Sequence, residues 1–197
     1  MLSLDPNELT ERENYKLLIG SVIPRPIAFV TSRSENGVLN AAPFSYFNIV
    51  SSNPPMVSVS VQSRSGTPKD TARNIAETKE FVVHIVDESN VEQVNRTAAS
   101  LPPEESELDL TDLTLADSDV IAIPGVREAK VRFECQLAQI VELGGTRLVI
   151  GKVVRFHIDE SIYENGRINH DLLKPISRLA GTNYAKLGEV FSMKRPD

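Results

Sequence analysis

The chain has 197 residues, of which 41% are hydrophobic and 24% are charged, and its formal net charge is −6. These values predict one globular domain over residues 1–197 and argue against a nucleic-acid partner, because nucleic-acid binders carry basic patches. The N-terminal residues lack a secretion signal and no apolar run approaches the roughly 20 residues of a spanning helix, so we expect a cytoplasmic protein with no membrane partner.

Runs of β-branched and aromatic residues predict a chain built mainly of β-strands. In the clearest run, Val57, Val59 and Val61 alternate with polar residues, which predicts one buried and one exposed face. A later run places Glu134 on a polar face by the same rule. The predicted strands span residues 27–32, 38–42, 56–62, 81–86, 131–137 and 147–158. Because turns of the Asn-Gly and Gly-Gly type follow several of them, we predict an antiparallel barrel, which closes its own edges.

Two helices are signalled by the residues that begin them. Thr67 is a predicted N-cap, followed by proline at the first helical position and by Asp70 at the third, a variant of the capping box. Ser89 is the predicted N-cap of a second helix, which runs to about Ala98. The segment 99–119 is rich in proline and acidic residues, and we predict a long surface excursion that serves as a lid or faces a partner.

Several common kinds of site are absent from the sequence. The ten glycines never form Gly-x-Gly-x-x-Gly, and no Walker A pattern occurs. The three histidines, His84, His157 and His170, are far apart and lack paired cysteines, so we predict no metal site and interpret each histidine as a surface or satisfied core residue. The single cysteine, Cys135, excludes an intrachain disulfide and is predicted to be a small buried group rather than a nucleophile.

Two segments together indicate a small ligand with a flat ring and a phosphate. Residues 40–48 are interpreted as a bend dense in small and aromatic residues, against which a ring can lie. The helix that follows Thr67 offers the charge of Lys69 and the backbone N–H groups of residues 69–71 to a phosphate. A lysine at a helix N-terminus is electrostatically unfavourable unless an anion lies nearby. A ring and a phosphate on one small ligand suggest flavin mononucleotide (FMN).

Five motifs, in their order and spacing, resemble the flavin reductase-like FMN-binding split-barrel family, which includes flavoredoxins and the reductase components of two-component monooxygenases. The first four are Pro-Arg-Pro-Ile-Ala-Phe-Val-Thr-Ser at 24–32, Asn-Ala-Ala-Pro-Phe-Ser-Tyr-Phe at 40–47, Asn-Pro-Pro at 53–55 and Lys-Asp-Thr-Ala-Arg-Asn-Ile at 69–75. Residues 178–184 resemble the family's Arg-Leu-Gly-Gly-x-x-Tyr, with Ala180 in place of the first glycine. The resemblance implies a mainly β, Greek-key split β-barrel with a few peripheral helices, a bound FMN, and a homodimer with the flavin near the subunit interface.

Candidate cofactor-binding residues come from these motifs. Ala41 and Ala42 are small enough to let the backbone approach a ring, and N–H groups after them face its oxygen-bearing edge, where donors favour the reduced flavin. Ser60 lies on the polar face of its strand. There it either lies beside the phosphate or ribityl chain of the ligand or faces solvent. At least one of the three aromatic residues at 44, 46 and 47 is expected in the barrel core. The predicted set is Asn40, Ala41, Ala42, Ser45, Tyr46, Phe47, Asn48, Ser60, Lys69, Asp70 and Thr71.

The sequence shows no group of residues typical of acid–base catalysis. The candidates for a role beside the reacting ring are Ser45, Arg178 and Tyr184. The Ser45 hydroxyl is within expected reach of flavin O4 or N5. The resemblance places Arg178 and Tyr184 near the flavin or the mouth of the site. Arg178 either attracts the phosphates of a nicotinamide cofactor or serves as an ion-pair partner. Arg25, held rigidly between two prolines, is equally suited to the dimer interface.

Three functions remain open at this point. The preferred one is an FMN-dependent NAD(P)H oxidoreductase: NAD(P)H docks transiently, passes a hydride to flavin N5 and leaves, and free flavin or a small-molecule substrate then accepts the electrons. A flavoredoxin-like carrier would instead exchange electrons with a protein acceptor, for which an acidic surface is suited. An FMN-dependent ene-reductase would act on an activated alkene.

Overall fold

The computed structural model describes residues 1–63 and 66–196. In this part of the chain the α-helices are α1 (Glu11–Ser21), α2 (Asp70–Thr78), α3 (Val91–Arg96) and α4 (His170–Leu173). The strands are β1 (Arg25–Pro26), β2 (Ala28–Arg33), β3 (Leu39–Phe44), β4 (Phe47–Ser52), β5 (Pro55–Gln62), β6 (Glu80–Ile85), β7 (Leu115–Ala116), β8 (Gly125–Val126), β9 (Val131–Leu143), β10 (Thr146–Ile158), β11 (Tyr163–Glu164), β12 (Arg167–Ile168), β13 (Ser177–Arg178) and β14 (Tyr184–Ala185). None of the described helices combines the length and the apolar character that crossing a bilayer requires.

Seven strands form one antiparallel sheet in the order β3-β2-β6-β9-β10-β5-β4. Its two outer strands, β3 and β4, are consecutive in the chain and are joined only by Ser45 and Tyr46. In a flat sheet of seven strands the edges would lie about 29 Å apart, whereas this connection spans about 10 Å, so the sheet must curl back on itself. The Ser60 amide of β5 donates to the Tyr46 carbonyl at 2.8 Å beside this seam.

The inside of the curled sheet is packed with small and β-branched side chains. Val57, Val59 and Val61 are buried, as their alternation predicts, and each contributes about 1.5–3 kcal/mol of burial free energy. On the neighbouring strand β10, a Cβ atom added to Gly151 would lie 2.3 Å from the Phe81 ring, so only glycine fits there. Cys135 belongs to the same core and is buried and unpaired, which confirms its predicted role.

Strand β2 is buried on both faces. Ala28 and Val30 face the inside of the curled sheet, whereas Phe29 belongs to a second apolar cluster on the outside. This outer cluster also contains Val94 of α3 and Ile176, which precedes β13. It therefore holds α3 and the β13–β14 hairpin against the sheet, where both elements form walls of the cleft described below.

The six predicted strands are confirmed with shifted ends, and the bend predicted over residues 40–48 is confined to Ser45 and Tyr46. That segment contains the end of β3, the short turn at Ser45 and Tyr46, and the start of β4. Strand β4 was not predicted because its apolar residues Ile49 and Val50 are exposed and adjacent, so only Phe47 packs against the inner core. Helix α1 was also missed, although Thr10 and Glu13 form its capping box.

The predicted start of the helix that follows Thr67 is corrected by two residues. Helix α2 begins at Asp70, and its N-cap is Lys69 instead of Thr67, because Lys69 keeps an extended backbone (φ −64°, ψ 153°). Helix α3 begins after Asn90 rather than after Ser89, and it ends at Arg96. The Ser89 N–H and hydroxyl donate instead to Asp87.

The predicted exposure of Glu134 on a polar face is wrong, because this side chain is fully buried. Its carboxylate accepts hydrogen bonds of 2.7, 2.8 and 3.1 Å from the N–H groups of residues 119–121, and one of 2.5 Å from His157. Burial alone would raise the pKa of Glu134, but these hydrogen bonds outweigh it and hold the pKa below its usual range. The residue therefore anchors a loop instead of facing solvent.

Candidate functional site

A cleft of about 330 Å³, here called the main cleft, opens at the seam between β3 and β4. Its floor comes from the turn residues Ser45 and Tyr46 and from Ser60 of β5. Burial raises the pKa of Tyr46, so its hydroxyl stays protonated at neutral pH. Helices α1 and α3 and the β13–β14 hairpin supply the walls, which include Tyr15, Ile19, Asn95, Arg178 and Tyr184. Five separate elements thus converge on one concave surface, the usual form of a small-molecule site.

A second opening of about 340 Å³, the side cleft, lies next to the main cleft. The two share Pro43, Lys69 and Ala98, so Lys69 stands on the boundary between them. The side cleft lies between the start of α2 and the segment that follows α3, and its lining includes Glu107.

A third opening of about 450 Å³, the outer groove, lies on the other side of the Ser45–Tyr46 turn. It is lined by Leu18 of α1, by Val22, which follows that helix, and by the start of β4. It shares Arg25, Ser45, Tyr46 and Ser60 with the main cleft.

The structure brings most of the predicted site residues together, but distributes them among these three openings. Ser45, Tyr46, Ser60, Lys69, Arg178 and Tyr184 line the main cleft. Asn40, Ala42, Lys69, Asp70 and Thr71 line the side cleft, while Phe47 and Asn48 line the outer groove. Ala41 is fully buried and lines none of the three.

Lys69 is a cation without an acidic partner in the described part of the chain. Its Nζ lies 5.8 Å from the centroid of the Phe44 ring. As the N-cap of α2 it makes no side-chain capping bond, so the first N–H groups of the helix lack that partner. Asp70, the next residue, pairs instead with Arg73 at 2.5 Å. The boundary of the two clefts therefore combines a free ammonium group with the positive end of a helix dipole, which suits an anion.

Two predicted site residues, Asn40 and Thr71, are joined in a buried network. The Thr71 hydroxyl donates to the side-chain oxygen Oδ1 of Asn40 at 2.6 Å, so this hydroxyl already has a partner. The Asn40 amide donates to both oxygens of Glu107 at 2.9 Å, and the Ala41 N–H donates to the same carboxylate at 3.1 Å. Burial raises the pKa of Glu107, and the nearby charge of Asp70 acts in the same direction. Sequence analysis missed Glu107 because a single acid in an acidic segment carries no local signal.

The β13–β14 hairpin places Arg178 and Tyr184 at the mouth of the main cleft. The Arg178 guanidinium carbon lies 4.5 Å from the Tyr184 ring centroid, and its Nη2 donates to the Gly181 carbonyl at 2.6 Å. The Tyr184 hydroxyl donates to Asn95 of α3 at 2.9 Å. Arg178 makes no ion pair with any described residue, so its charge is available to a ligand.

Two of the histidines are accounted for by interior contacts. His84 is fully buried, and its ring nitrogens lie 2.9 Å from the Phe29 carbonyl and 2.9 Å from the Val126 N–H, which fixes a neutral tautomer. Burial lowers the pKa of His84 to about 4. His157 lies with Glu134 and Asp119 in a group of metal-binding type, with ligand atoms within 4.8 Å of one another. The Glu134 oxygens in this group already accept four hydrogen bonds, so the arrangement has a structural explanation.

Comparison with known proteins places this chain in a family. The sequence model of the flavin reductase like domain matches residues 19–173. The chain is 60% identical to nitrilotriacetate monooxygenase component B from Bacillus cereus; the match covers 98% of each chain, with a TM-score of 0.97. It is 32% identical to the 2-nitrobenzoate 2-nitroreductase of Pseudomonas fluorescens over 99% of this chain and 96% of that one, with a TM-score of 0.90.

The fold prediction is also confirmed by comparison. A Shewanella frigidimarina protein, described as a flavin reductase with a split barrel domain, superposes over 100% of both chains with a TM-score of 0.86 at 20% identity. At that identity the likeness shows the fold alone, and that fold is the curled, mostly β architecture described above. The match over residues 19–173 contains the β3–β4 seam and the start of α2 that shape the main cleft. The chain therefore belongs to the flavin reductase like domain family.

Proposed function

We propose that this protein is an FMN-dependent oxidoreductase that takes a hydride from NAD(P)H and passes it to free flavin or to another small acceptor. The observation that carries the proposal is Lys69, an unpaired cation at the uncapped start of α2 on the boundary of the main cleft. An FMN phosphate carries close to two negative charges. Lys69 and the Asp70 and Thr71 N–H groups supply donors for it, with the helix dipole behind them.

The remainder of the main cleft suits the flat part of such a ligand. Pro43 and Phe44 offer apolar surface next to Lys69, so a ring bound here lies within reach of the phosphate site. The Ser45 and Ser60 hydroxyls supply hydrogen bonds along its edge. Bound FMN would supply the hydride-accepting chemistry, which requires no acid or base from the protein. The protein's task is then to hold the ring, to leave one face open and to tune its charge.

Docking of the nicotinamide donor is proposed at the hairpin side of the cleft. The sequence lacks the Gly-x-Gly-x-x-Gly fingerprint of firm dinucleotide binding. Arg178 offers a charge with no acidic partner among the described residues, and Tyr184 offers an aromatic surface beside it. A donor held by these two groups would bind briefly and leave before the acceptor arrives, which is the order of events in ping-pong kinetics.

The Bacillus cereus neighbour supports a reductase in preference to a pure electron carrier. That protein is a component of a monooxygenase, and 60% identity over 98% of both chains is close relationship. We propose that the acceptor here is flavin, reduced in the main cleft and then used elsewhere. A protein acceptor is the second candidate, favoured by the net charge of −6.

A homodimer is part of the same proposal. Helix α1 exposes Leu17 and Leu18, Val22 is exposed just after it, and β4 exposes Ile49, whose exposed fraction is 76%. Leu18 and Val22 line the outer groove together with Phe47 and Asn48 of β4, so this groove carries an apolar surface next to the main cleft. Closed twofold assembly is the commonest way to cover such a surface.

The proposal is tested by the colour and reactivity of the purified protein. We expect a yellow protein, or one that becomes yellow on addition of FMN, and chromatography of the heat-released pigment is expected to show FMN instead of FAD. Mixing with NADH or NADPH in an anaerobic stopped-flow instrument is expected to bleach the flavin rapidly. A flavin that both nucleotides leave oxidised would contradict the reductase proposal and favour a carrier with a protein partner.

A further inference from the structure

Arg25 is a buried cation without an anionic partner. Its exposed fraction is 6%, and no described residue, in 1–63 or 66–196, forms an ion pair with it. Its Nη1 donates to the carbonyls of Ile19 and Val22 at 2.8 and 2.5 Å, and its Nη2 donates to the Leu179 carbonyl at 3.0 Å. Burial of an unpaired charge costs free energy that neutral carbonyls offset only in part, so the position requires an explanation.

Arg25 also lies opposite a second cation. Strand β1 pairs with β13 in the antiparallel register that sets Arg25 against Arg178. Like charges at directly opposite positions destabilise a strand pair unless an anion lies near them. Both arginines line the main cleft, which gives this end of the cleft a strongly positive potential.

The contact between Arg25 and Ser45 sets the direction of a hydroxyl group. The Arg25 Nε lies 3.5 Å from the Ser45 Oγ, at the outer limit of a hydrogen bond. A guanidinium group donates hydrogen bonds and accepts none. The Ser45 hydrogen therefore points away from Arg25, and the hydroxyl is free to donate to a ligand in the cleft that both residues line.

We propose that Arg25 is a positioning residue of the flavin site, whose buried charge favours the reduced, negatively charged form of a bound flavin over the oxidised form and which orients Ser45 as a donor towards it. This inference rests on the proposed function. Reduced flavin carries negative charge that oxidised flavin lacks, so a fixed cation beneath the cleft binds the reduced form more tightly and raises the reduction potential. The three carbonyl contacts keep the charge in place by tying the end of α1 to the hairpin.

The test compares the affinities of oxidised and dithionite-reduced FMN for the wild type, Arg25→Gln and Arg25→Lys under anaerobic conditions. Arg25→Gln removes the charge, and we expect it to weaken binding of reduced FMN about tenfold more than binding of oxidised FMN. That ratio corresponds to a potential about 30 mV more negative for a two-electron couple. Arg25→Lys keeps a charge and is expected to retain most of the wild-type ratio. The control is Arg127→Gln, an exposed arginine that lines none of the three openings.

A purely structural role for Arg25 would weaken both affinities equally in both variants, and that result would overturn the inference. A wild type that ignores FMN in either state would overturn the proposed function as well, so the two failures are distinct. A measurement on the wild type alone guards against a variant that fails to fold. Free FMN in acidic buffers takes up two protons with its two electrons. The bound flavin is expected to take up only one, so its reduction potential should change by about 30 mV per pH unit. A two-proton slope for the bound flavin would contradict the proposal.

Discussion

Glu107 and Asn40 are joined by two hydrogen bonds of 2.9 Å, which the side-chain amide nitrogen of Asn40 in β3 donates to both carboxylate oxygens of Glu107. This contact fixes the middle of the predicted surface excursion, residues 99–119, against the strand that leads into the seam. The same carboxylate accepts the Ala41 N–H, so one buried acid satisfies donors of the side chain and the backbone. The excursion is thus anchored where it borders the side cleft.

The first prediction concerns this anchor. Glu107→Gln replaces an acceptor-only group by an amide whose NH₂ must face donors, which leaves at least one buried donor unsatisfied. We expect the free energy of unfolding to fall by about 1–3 kcal/mol, measured by denaturant titration. Limited proteolysis is expected to cut residues 99–119 faster. Glu105→Gln, on an exposed residue of the same segment, is the matched control and should change neither quantity; equal behaviour of the two variants would contradict the anchoring role.

Removal of the Lys69 charge should weaken binding of the phosphate group. Lys69→Ala loses a charge-assisted contact of about 1.5–3 kcal/mol, so the affinity for FMN should fall about ten- to a hundredfold. Riboflavin, which lacks the phosphate, should bind the variant and the wild type equally weakly. Lys152→Ala, on an exposed residue outside the three openings, is the control for loss of a positive charge. Unchanged FMN binding to Lys69→Ala would place the phosphate elsewhere.

Ser45→Ala should alter the reactivity of the flavin more than its binding. The side chain lies at the turn between β3 and β4, where the hydroxyl is expected to face the redox-active edge of the ring. We therefore expect the affinity for FMN to stay close to that of the wild type, while the reduction potential or the rate of hydride transfer changes. Potentiometry and anaerobic stopped-flow provide the two measurements. A large loss of affinity with an unchanged potential would show that Ser45 binds a part of the ligand remote from the reacting ring.

His84 should make the fold sensitive to mild acid. Its pKa is lowered by burial from 6.5 to about 4 in the folded state, so the unfolded chain takes up a proton at higher pH than the folded one. The contribution of His84 to the free energy of unfolding is fully present above pH 6.5 and is lost as the pH falls towards 4. The total loss is on the order of 3 kcal/mol. Denaturant titrations of His84→Gln across this range should show a flatter pH dependence. The exposed His170→Gln should retain the wild-type slope.

The oligomeric state can be tested on the exposed face of β4. Light scattering at micromolar concentration is expected to give about twice the monomer mass of 21.7 kDa. Ile49→Asp places a charge on the apolar surface next to the outer groove and should produce monomers with weaker flavin binding. Leu143→Asp, at an exposed position on the β9–β10 hairpin, is the control that should remain dimeric. A monomeric wild type would refute the homodimer.

Local pattern in the sequence was enough to predict most of the sheet. The alternation of Val57, Val59 and Val61 defined β5 and its buried face, because side chains alternate between the two faces of a strand. Asn-Gly at Asn165 and Gly166 marked the β11–β12 turn, where both residues have positive φ. The same reasoning failed at β4, where Ile49 and Val50 are exposed, adjacent residues that do not alternate.

The sequence by itself therefore determined six of the strands, several turns and the family, because each of these is marked by short runs of neighbouring residues. It also identified Lys69 and Ser45 as site candidates, since both belong to short motifs. Only the tertiary structure decided how three openings meet at the seam and which polar groups are buried there. Arg25 finds an acceptor at Leu179, 154 positions away, and Asn40 finds its partner 67 positions away. Such contacts depend on how the sheet curls and leave no periodic signal in the chain, so folding in three dimensions was needed to reveal them.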